Sequence, residues 1–333
     1  MEPALKTIVE KLLEAKKIVV AAHIYPDCDA LGSQLALGEI LVSLQKEVTL
    51  FIEEPVSPHL EFLPGIEKLT TVPPDPDEFD CAVSLDCGDW HRLGKYKKNF
   101  SLINPLLVID HHAGHENFGD FRWVEKERSS TAEMLYELAL ALNIELSYNA
   151  SYCLYAAITA DSGSFRYPNT GARTLEVAGD LIRRGVKPSD VSAHLYDNFS
   201  KNRLHLLQIV LSTLELYEED RLAIISVRQE YFKQTGTNAE DTELFINYPR
   251  ALLTVKIAGF IKETTDNLIS VSLRSKENYN VGRVARKLGG GGHLNAAGFK
   301  VPGGEIEGVR QTLLKELSPL LMESGKCEVD AEG

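Results

Sequence analysis

At 333 residues the chain exceeds what one hydrophobic core usually supports, which predicts two domains. Lys and Arg number 35 against 48 Asp and Glu, a formal net charge of −13, so little counterion release is available and long duplex DNA is excluded as a partner. The apolar fraction of 44% is ordinary for a globular protein, no stretch reaches the roughly eighteen apolar residues of a membrane span, and five scattered cysteines (Cys28, Cys81, Cys87, Cys153, Cys327) without a C-x-x-C pair fit a reducing compartment.

The opening MEPALKTIVEKLLEAKK carries acidic residues and lacks the apolar core of a signal peptide, which makes the cytoplasm the expected location. Lys17–Ala22 (KIVVAA) reads as a strand, and Ala30–Leu44 has helical periodicity through Leu31, Leu35, Leu37, Leu41 and Leu44. Further strands are predicted at Glu47–Phe51, Phe79–Leu85 and Leu106–Ile109, each continuously apolar as buried parallel strands tend to be. From Ser130 to about Leu214 the pattern is helical, punctuated by Gly185 and Pro188. Strands at Arg221–Val227, Ala251–Phe260 and Leu268–Arg274, a glycine run, another short strand and a helix near Ile306–Leu321 complete a smaller α/β unit. The expected fold is α/β: a mainly parallel N-terminal sheet with flanking helices over residues 1–186, a helical linker over 187–214, and a second α/β domain over 215–333, with the active site in the cleft between the domains.

Polar residues follow three of the first four strands. His23, Asp27 and Asp29 follow the first, with Pro26 to fix the turn and Gly32 to admit close helix packing; Asp86 follows the third, and Asp110, His111 and His112 close the fourth. Asp161 ends a later helical run. Ligands of open α/β sheets collect at the carboxyl ends of strands, so this recurrence predicts one converged site. Alone, a D-x-D loop is commonly turn chemistry and a lone histidine a hydrogen-bonded structural group. Packed together, such Asp and His groups would repel or mis-titrate unless divalent cations neutralised them. One Asp shared between two ions, with mixed O and N donors and no thiolate spacing, suits two Mn²⁺, with Mg²⁺ as the alternative, and argues against structural zinc. Cys28 and Cys87 read as small buried residues; His91, His115, His194 and His205 as structural or surface groups; Trp123 as core.

The pattern H-x-x-P-D-x-D-x-x-G-S, a strand-end Asp, D-H-H and a later D-x-G resembles the four motifs of the DHH phosphoesterases. Ser272, Leu273, Arg274 and Ser275, followed by Gly290, Gly291, Gly292, His293, Asn295 and Gly298, resemble the associated DHHA1 domain, and the two matches span nearly the whole chain. The resemblance implies that His23, Asp27 and Asp86 hold one ion and Asp29, Asp86, His111 and Asp161 the other, with Asp86 as the bridge. It further implies that Asp110 orients His111 and that His112 faces the substrate phosphate. Ser162 stands where relatives often carry Thr. Arg274, Gly291, Gly292, His293 and Asn295 are the expected substrate-binding residues of the second domain, and Arg92 a further candidate.

The mechanism this implies is in-line attack on phosphorus by a water that bridges both ions and has lost a proton. The resemblance is strongest to the branch of nanoRNases and pAp phosphatases, which implies hydrolysis of short single-stranded oligoribonucleotides, of 3′-phosphoadenosine 5′-phosphate (pAp), or of both to mononucleotides. A cyclic-di-AMP/pApA or pGpG phosphodiesterase uses the same metal chemistry and is the alternative. A metal-dependent RNA-binding module without catalysis is the alternative from another class. Neither membrane nor long duplex DNA is an expected partner, and the motifs leave a homodimer open.

Overall fold

The computed structural model describes residues 2–292 and 294–324. The chain forms two compact units, Met1–Asn198 and Phe199–Gly333. Among the described residues, no helix is long and apolar enough to cross a membrane.

The first unit is built on a six-stranded sheet of β1 (Lys17–Ala22), β2 (Glu47–Phe51), β3 (Leu69–Thr70), β4 (Cys81–Leu85), β5 (Leu106–Asp110) and β6 (Phe121–Val124), in the order β3-β2-β1-β4-β5-β6. All five pairings are parallel. β4 and β5 are buried along their whole length, which is why each reads as an unbroken apolar run. The order grows outward from β1 through β2 and β3, then restarts on the other side of β1 with β4. Such a reversal leaves a crevice at the carboxyl ends of the two central strands, β1 and β4.

Helices α1 (Pro3–Glu14), α2 (Cys28–Ser43), α3 (Lys97–Leu102), α4 (Thr131–Ala141), α5 (Tyr148–Asp161), α6 (Ala172–Arg183) and α7 (Pro188–Tyr196) surround this sheet. α2 is buried almost all round, from Cys28 to Leu41, because the sheet lies on one side and α5 on the other. Gly32 makes that approach feasible: a Cβ there would lie 2.7 Å from the Cys153 carbonyl oxygen and 3.1 Å from the Ala157 Cβ. Gly32→Ala is therefore expected to destabilise the protein by about 1–3 kcal/mol, the cost of overpacking, read as a lower urea midpoint at unchanged m-value. An unchanged midpoint would show that α2 and α5 can separate freely. Trp123 is fully buried and its indole N–H donates to Glu2 Oε2 at 3.1 Å, so it is a core residue.

The second unit begins with α8 (Lys201–Leu211), followed by strands β7 (Glu215–Tyr217), β8 (Leu222–Val227), β9 (Ile257–Glu263), β10 (Leu268–Ser275), β11 (Gly291–Gly292) and β12 (Ala296–Pro302). They form a mixed sheet in the order β11-β12-β10-β9-β8-β7, in which β8 and β9 alone run parallel. Helices α9 (Gln229–Thr235), α10 (Asn247–Arg250), α11 (Val281–Lys287) and α12 (Ile306–Ser324) complete it.

Two expectations shift. The strand read at Ala251–Phe260 begins only at Ile257, where Leu222 provides its partner in the ladder. Ala251–Leu253 continue the turn that leaves α10, and Leu253 is 93% exposed. An apolar run alone does not reveal whether a sheet edge is within reach. The helix read from Ala30 begins at Cys28, so Asp27 is its N-cap and Asp29 lies within its first turn, not in the preceding loop.

Candidate metal centre

The crevice at the ends of β1 and β4 gathers His23, Asp27, Asp29, Asp86, His111, His112 and Asp161. Three ligand groups fall within it, each with atoms inside 4.8 Å of one another: His23, Asp27 and Asp86; Asp29, His111 and Asp161; and Asp86, His111 and His112.

Each ligand is placed by local structure. Asp27 Oδ1 caps α2, accepting from the N–H groups of Asp29 at 3.0 Å and Ala30 at 3.1 Å, which leaves Oδ2 to face His23. Asp29 is buried, and its carboxylate accepts the first N–H groups of α4, from Thr131 at 2.8 Å and Ala132 at 3.0 Å, together with the Ser33 hydroxyl at 3.2 Å. Those helix-end donors have no partner within the helix and favour negative charge. Asp86 leaves β4 with a left-handed backbone, φ 52°, a conformation Asp tolerates and that aims its side chain into the crevice. Its Oδ2 lies 3.6 Å from His23 Nε2 and its Oδ1 lies 3.5 Å from His111 Nε2. One carboxylate thus faces two imidazoles with two different oxygens.

The Nε2 of His111 is 3.8 Å from Asp29 Oδ2 and 3.6 Å from Asp161 Oδ2, while His23 Nε2 is 3.8 Å from Asp27 Oδ2. These separations are too long for hydrogen bonds, yet the polar atoms converge on common points, the arrangement expected of ligands around a cation. His111 Nδ1 lies 3.2 Å from the Arg128 carbonyl oxygen, which favours the tautomer whose Nε2 lone pair faces the carboxylates. Asp110, expected beside His111, meets His112 instead: its Oδ1 is 2.6 Å from His112 Nδ1. At the end of α5, Asp161 receives a hydrogen bond to its carbonyl from Asn169 Nδ2 at 3.2 Å, and the same nitrogen approaches Asp161 Oδ2 at 3.4 Å.

His23 Nδ1 lies 2.9 Å from both the Ile24 carbonyl oxygen and Arg92 Nη2. The carbonyl is satisfied only by an Nδ1–H, the tautomer that presents Nε2 to a metal. Since guanidinium only donates, Arg92 has no acceptor on His23 in that tautomer.

The electrostatics of the bare cluster also call for a cation. Burial opposes charge on His23, but the carboxylates of Asp27 and Asp86 beside it outweigh that and raise its pKa to about 10. Burial likewise opposes His111, and the charges of Asp161, Asp86 and Asp29 lift it to about 9. Asp29 is pushed well above the carboxylate range by burial and by Asp86 and Asp161, and Asp161 rises to about 6 through burial, against the pull of His111. Asp86 is held low: burial disfavours its charge, and the imidazoles of His23, His112 and His111 around it overcome that. Groups so mismatched are brought to one ionised state by divalent ions, and the donor set of carboxylates and imidazoles fits them.

Cys28 and Cys87 are buried and in no disulfide, and burial pushes the Cys87 thiol up to about 12, which disfavours a thiolate there. His115 stacks on Phe118, His194 stacks on Phe62, and exposed His91 meets Lys97, in keeping with structural roles. In the second unit Arg274, on β10, stands opposite Ala296 in the ladder and donates to the Leu273 carbonyl at 3.0 Å. Gly291 and Gly292 pair with Gly298 and Ala297. Asn295 Nδ2 donates to Ser275 Oγ at 2.9 Å and to the Glu277 carbonyl at 2.8 Å, bracing the turn after β10. These four residues gather at one end of the second sheet, and His293 lies outside the described residues.

Sequence patterns missed the segment from Arg128 to Ala132, which touches ligands of both halves of the centre. Its only local signal is the S-x-x-E of Ser130 and Glu133, which marks a helix start and nothing more: the Ser130 hydroxyl accepts the Glu133 N–H at 3.1 Å.

Residues 17–158 match the DHH family N-terminal domain and residues 220–322 match the DHHA1 domain. The chain is 29% identical over 287 residues to the bifunctional oligoribonuclease and PAP phosphatase NrnA of Bacillus subtilis, covering 85% of this chain and 89% of that protein. It is 26% identical over 351 residues to the cyclic-di-AMP phosphodiesterase GdpP of Geobacillus thermodenitrificans, covering 95% of this chain and 49% of that protein. Among solved structures, an exopolyphosphatase-related protein from Bacteroides fragilis superposes with a TM-score of 0.88 at 27% identity, over 96% of this chain and 97% of that one. With a DHH domain that carries the crevice and its Asp and His cluster, followed by a DHHA1 domain, the chain belongs to the DHH family.

Proposed function

We propose that the chain is a cytoplasmic two-metal phosphoesterase, preferring Mn²⁺ over Mg²⁺, that hydrolyses short oligoribonucleotides and pAp to mononucleotides. The observation that carries this reading is Asp86, whose two carboxylate oxygens face His23 and His111 separately, at 3.6 and 3.5 Å. Binding alone has no need of a carboxylate shared in this way. His23 and Asp27 would hold one ion, Asp29, His111 and Asp161 the other, with Asp86 between them. Ions held there supply Lewis acidity toward the phosphate and toward the attacking water. His112, fixed by Asp110, presents its Nε2 to the substrate phosphate, and Arg92, once released from His23, offers a bidentate donor to the same anion. Arg274, Gly291, Gly292, His293 and Asn295 are assigned to nucleotide recognition. The substrate assignment rests on the likeness to NrnA over most of both chains and on the net charge of −13, which disfavours long polyanions.

A second reading, hydrolysis of cyclic-di-AMP or its linear product pApA, is supported by the likeness to GdpP, of which the chain spans about half the length. Steady-state assays with Mn²⁺ on pAp, short RNA, pApA, pGpG and cyclic-di-AMP separate the two. The expected result is a kcat/KM at least about tenfold higher on pAp and short RNA than on cyclic-di-AMP, a difference of about 1.4 kcal/mol in transition-state binding. The reverse order moves the assignment to the second reading, and metal binding without turnover of any compound makes the chain an RNA-binding module.

A further inference from the structure

The segment from Arg128 to Ala132 contains none of the six candidate ligands, yet it touches three of them directly and reaches a fourth through Asn169. The Arg128 carbonyl faces His111 Nδ1 at 3.2 Å, and the Ser129 carbonyl accepts at 2.9 Å from Asn169, whose amide also bonds Asp161. The N–H groups of Thr131 and Ala132 hold Asp29, and the Thr131 hydroxyl donates to Asp86 Oδ1 at 3.0 Å. Thr131 is fully buried and contacts two of the candidate ligand carboxylates, Asp29 through its backbone and Asp86 through its side chain.

The segment is itself braced. Glu133 is buried and its Oε2 accepts from the Ser129 hydroxyl at 2.6 Å and the Thr174 hydroxyl at 2.9 Å. Arg128 makes a two-pronged contact with Glu137, both bonds at 2.8 Å. A rigid loop locked to α4 and α6 therefore fixes the relative position of carboxylates that lie 45 and about 102 residues away in sequence.

From this geometry we propose that Thr131 is a positioning residue that sets the spacing between the two halves of the metal centre. Its hydroxyl occupies one lone pair of Asp86 Oδ1 and so fixes the rotation of the shared carboxylate about Cβ–Cγ. Its backbone N–H ties Asp29 to the same point. The proposal rests on the two-ion reading above.

The test uses the full-length protein titrated with Mn²⁺. Thr131→Val removes the hydroxyl and keeps the backbone N–H, the branching and the volume; Thr131→Ser keeps the hydroxyl; Thr131→Ala replaces the valine variant if that one fails to fold. Calorimetric titration, the exchange-coupled electron paramagnetic resonance signal of paired Mn²⁺ and steady-state kinetics are read together. The expected result for Thr131→Val is a 10–100-fold weaker second Mn²⁺ site, as for other lost outer-shell contacts, with a diminished coupled signal and kcat lowered by a similar factor at little changed KM. Thr131→Ser restores all three to within about threefold. Wild-type affinity and coupling in Thr131→Val overturns the proposal, even if activity falls. Failure of the two-ion reading is separately visible: the wild-type protein then binds one ion or gives no coupled signal, and this proposal falls with it.

Discussion

Replacing Asp86 with asparagine is expected to lower kcat on every active substrate by at least about a thousandfold while leaving the fold intact. A single lost source of transition-state charge stabilisation commonly costs a hundred to a thousandfold, and Asp86 serves both halves of the proposed centre. Asparagine keeps the shape and can still accept from Thr131, so packing around the left-handed residue is conserved. What it removes is the one anion facing both His23 and His111. Metal content measured after gel filtration should fall together with kcat, and the melting temperature without metal should stay within a few degrees of wild type. Turnover close to wild type would falsify the assignment of Asp86 as a bridge, whatever its effect on stability.

Chelation is expected to abolish turnover, to be reversed by Mn²⁺, and to lower thermal stability. A cation at about a hundred times its dissociation constant stabilises the folded state by about 2.7 kcal/mol. For a unit the size of Met1–Asn198 that corresponds to about 5–10 °C in melting temperature. The dependence on pH should change sign with metal. His23 at about 10 and His111 at about 9 lie above the ordinary histidine value of about 6.5. Their contribution to the metal-free fold is fully present below pH 6.5 and declines as pH rises toward 9 and 10, because the folded state then binds more protons than the unfolded one. Metal binding instead requires these imidazoles deprotonated, so the increment from Mn²⁺ grows over the same range. Melts at pH 6.5 and 8.5, with chelator or with Mn²⁺, should therefore show the gap widening with pH. A gap that narrows would mean that His23 and His111 are not displaced from their carboxylate partners by the ion.

The legible parts of this molecule are those whose physics is local. β1, β2, β4, β5 and β10 are readable because burial or regular alternation leaves a pattern along a few consecutive residues, and the ligands are readable because each follows a strand or ends a helix. Where a contact crosses the chain, the pattern is silent. Nothing near Asp110 indicates that it meets His112 instead of His111, since both imidazoles follow the same strand and the backbone beyond it decides. Nothing around Thr131 points to Asp29 or Asp86. The apolar residues after Arg250 fail in the opposite direction: their composition suits a strand, but no ladder partner reaches them before Ile257.

The double duty of Asp27 also shapes how this site can change. It is the most solvent-exposed of the six proposed ligands, the position where substitution would ordinarily be tolerated best. Yet the same carboxylate closes the first turn of α2, the helix that carries Asp29. Glutamate would keep the negative charge and histidine a metal donor, but neither is a favoured cap, and losing a cap costs about 1 kcal/mol of folding stability. Any drift or engineering toward a different metal preference at this rim thus carries a folding cost of about 1 kcal/mol besides its effect on the ion, so even the most accessible of the proposed ligands is not freely exchanged.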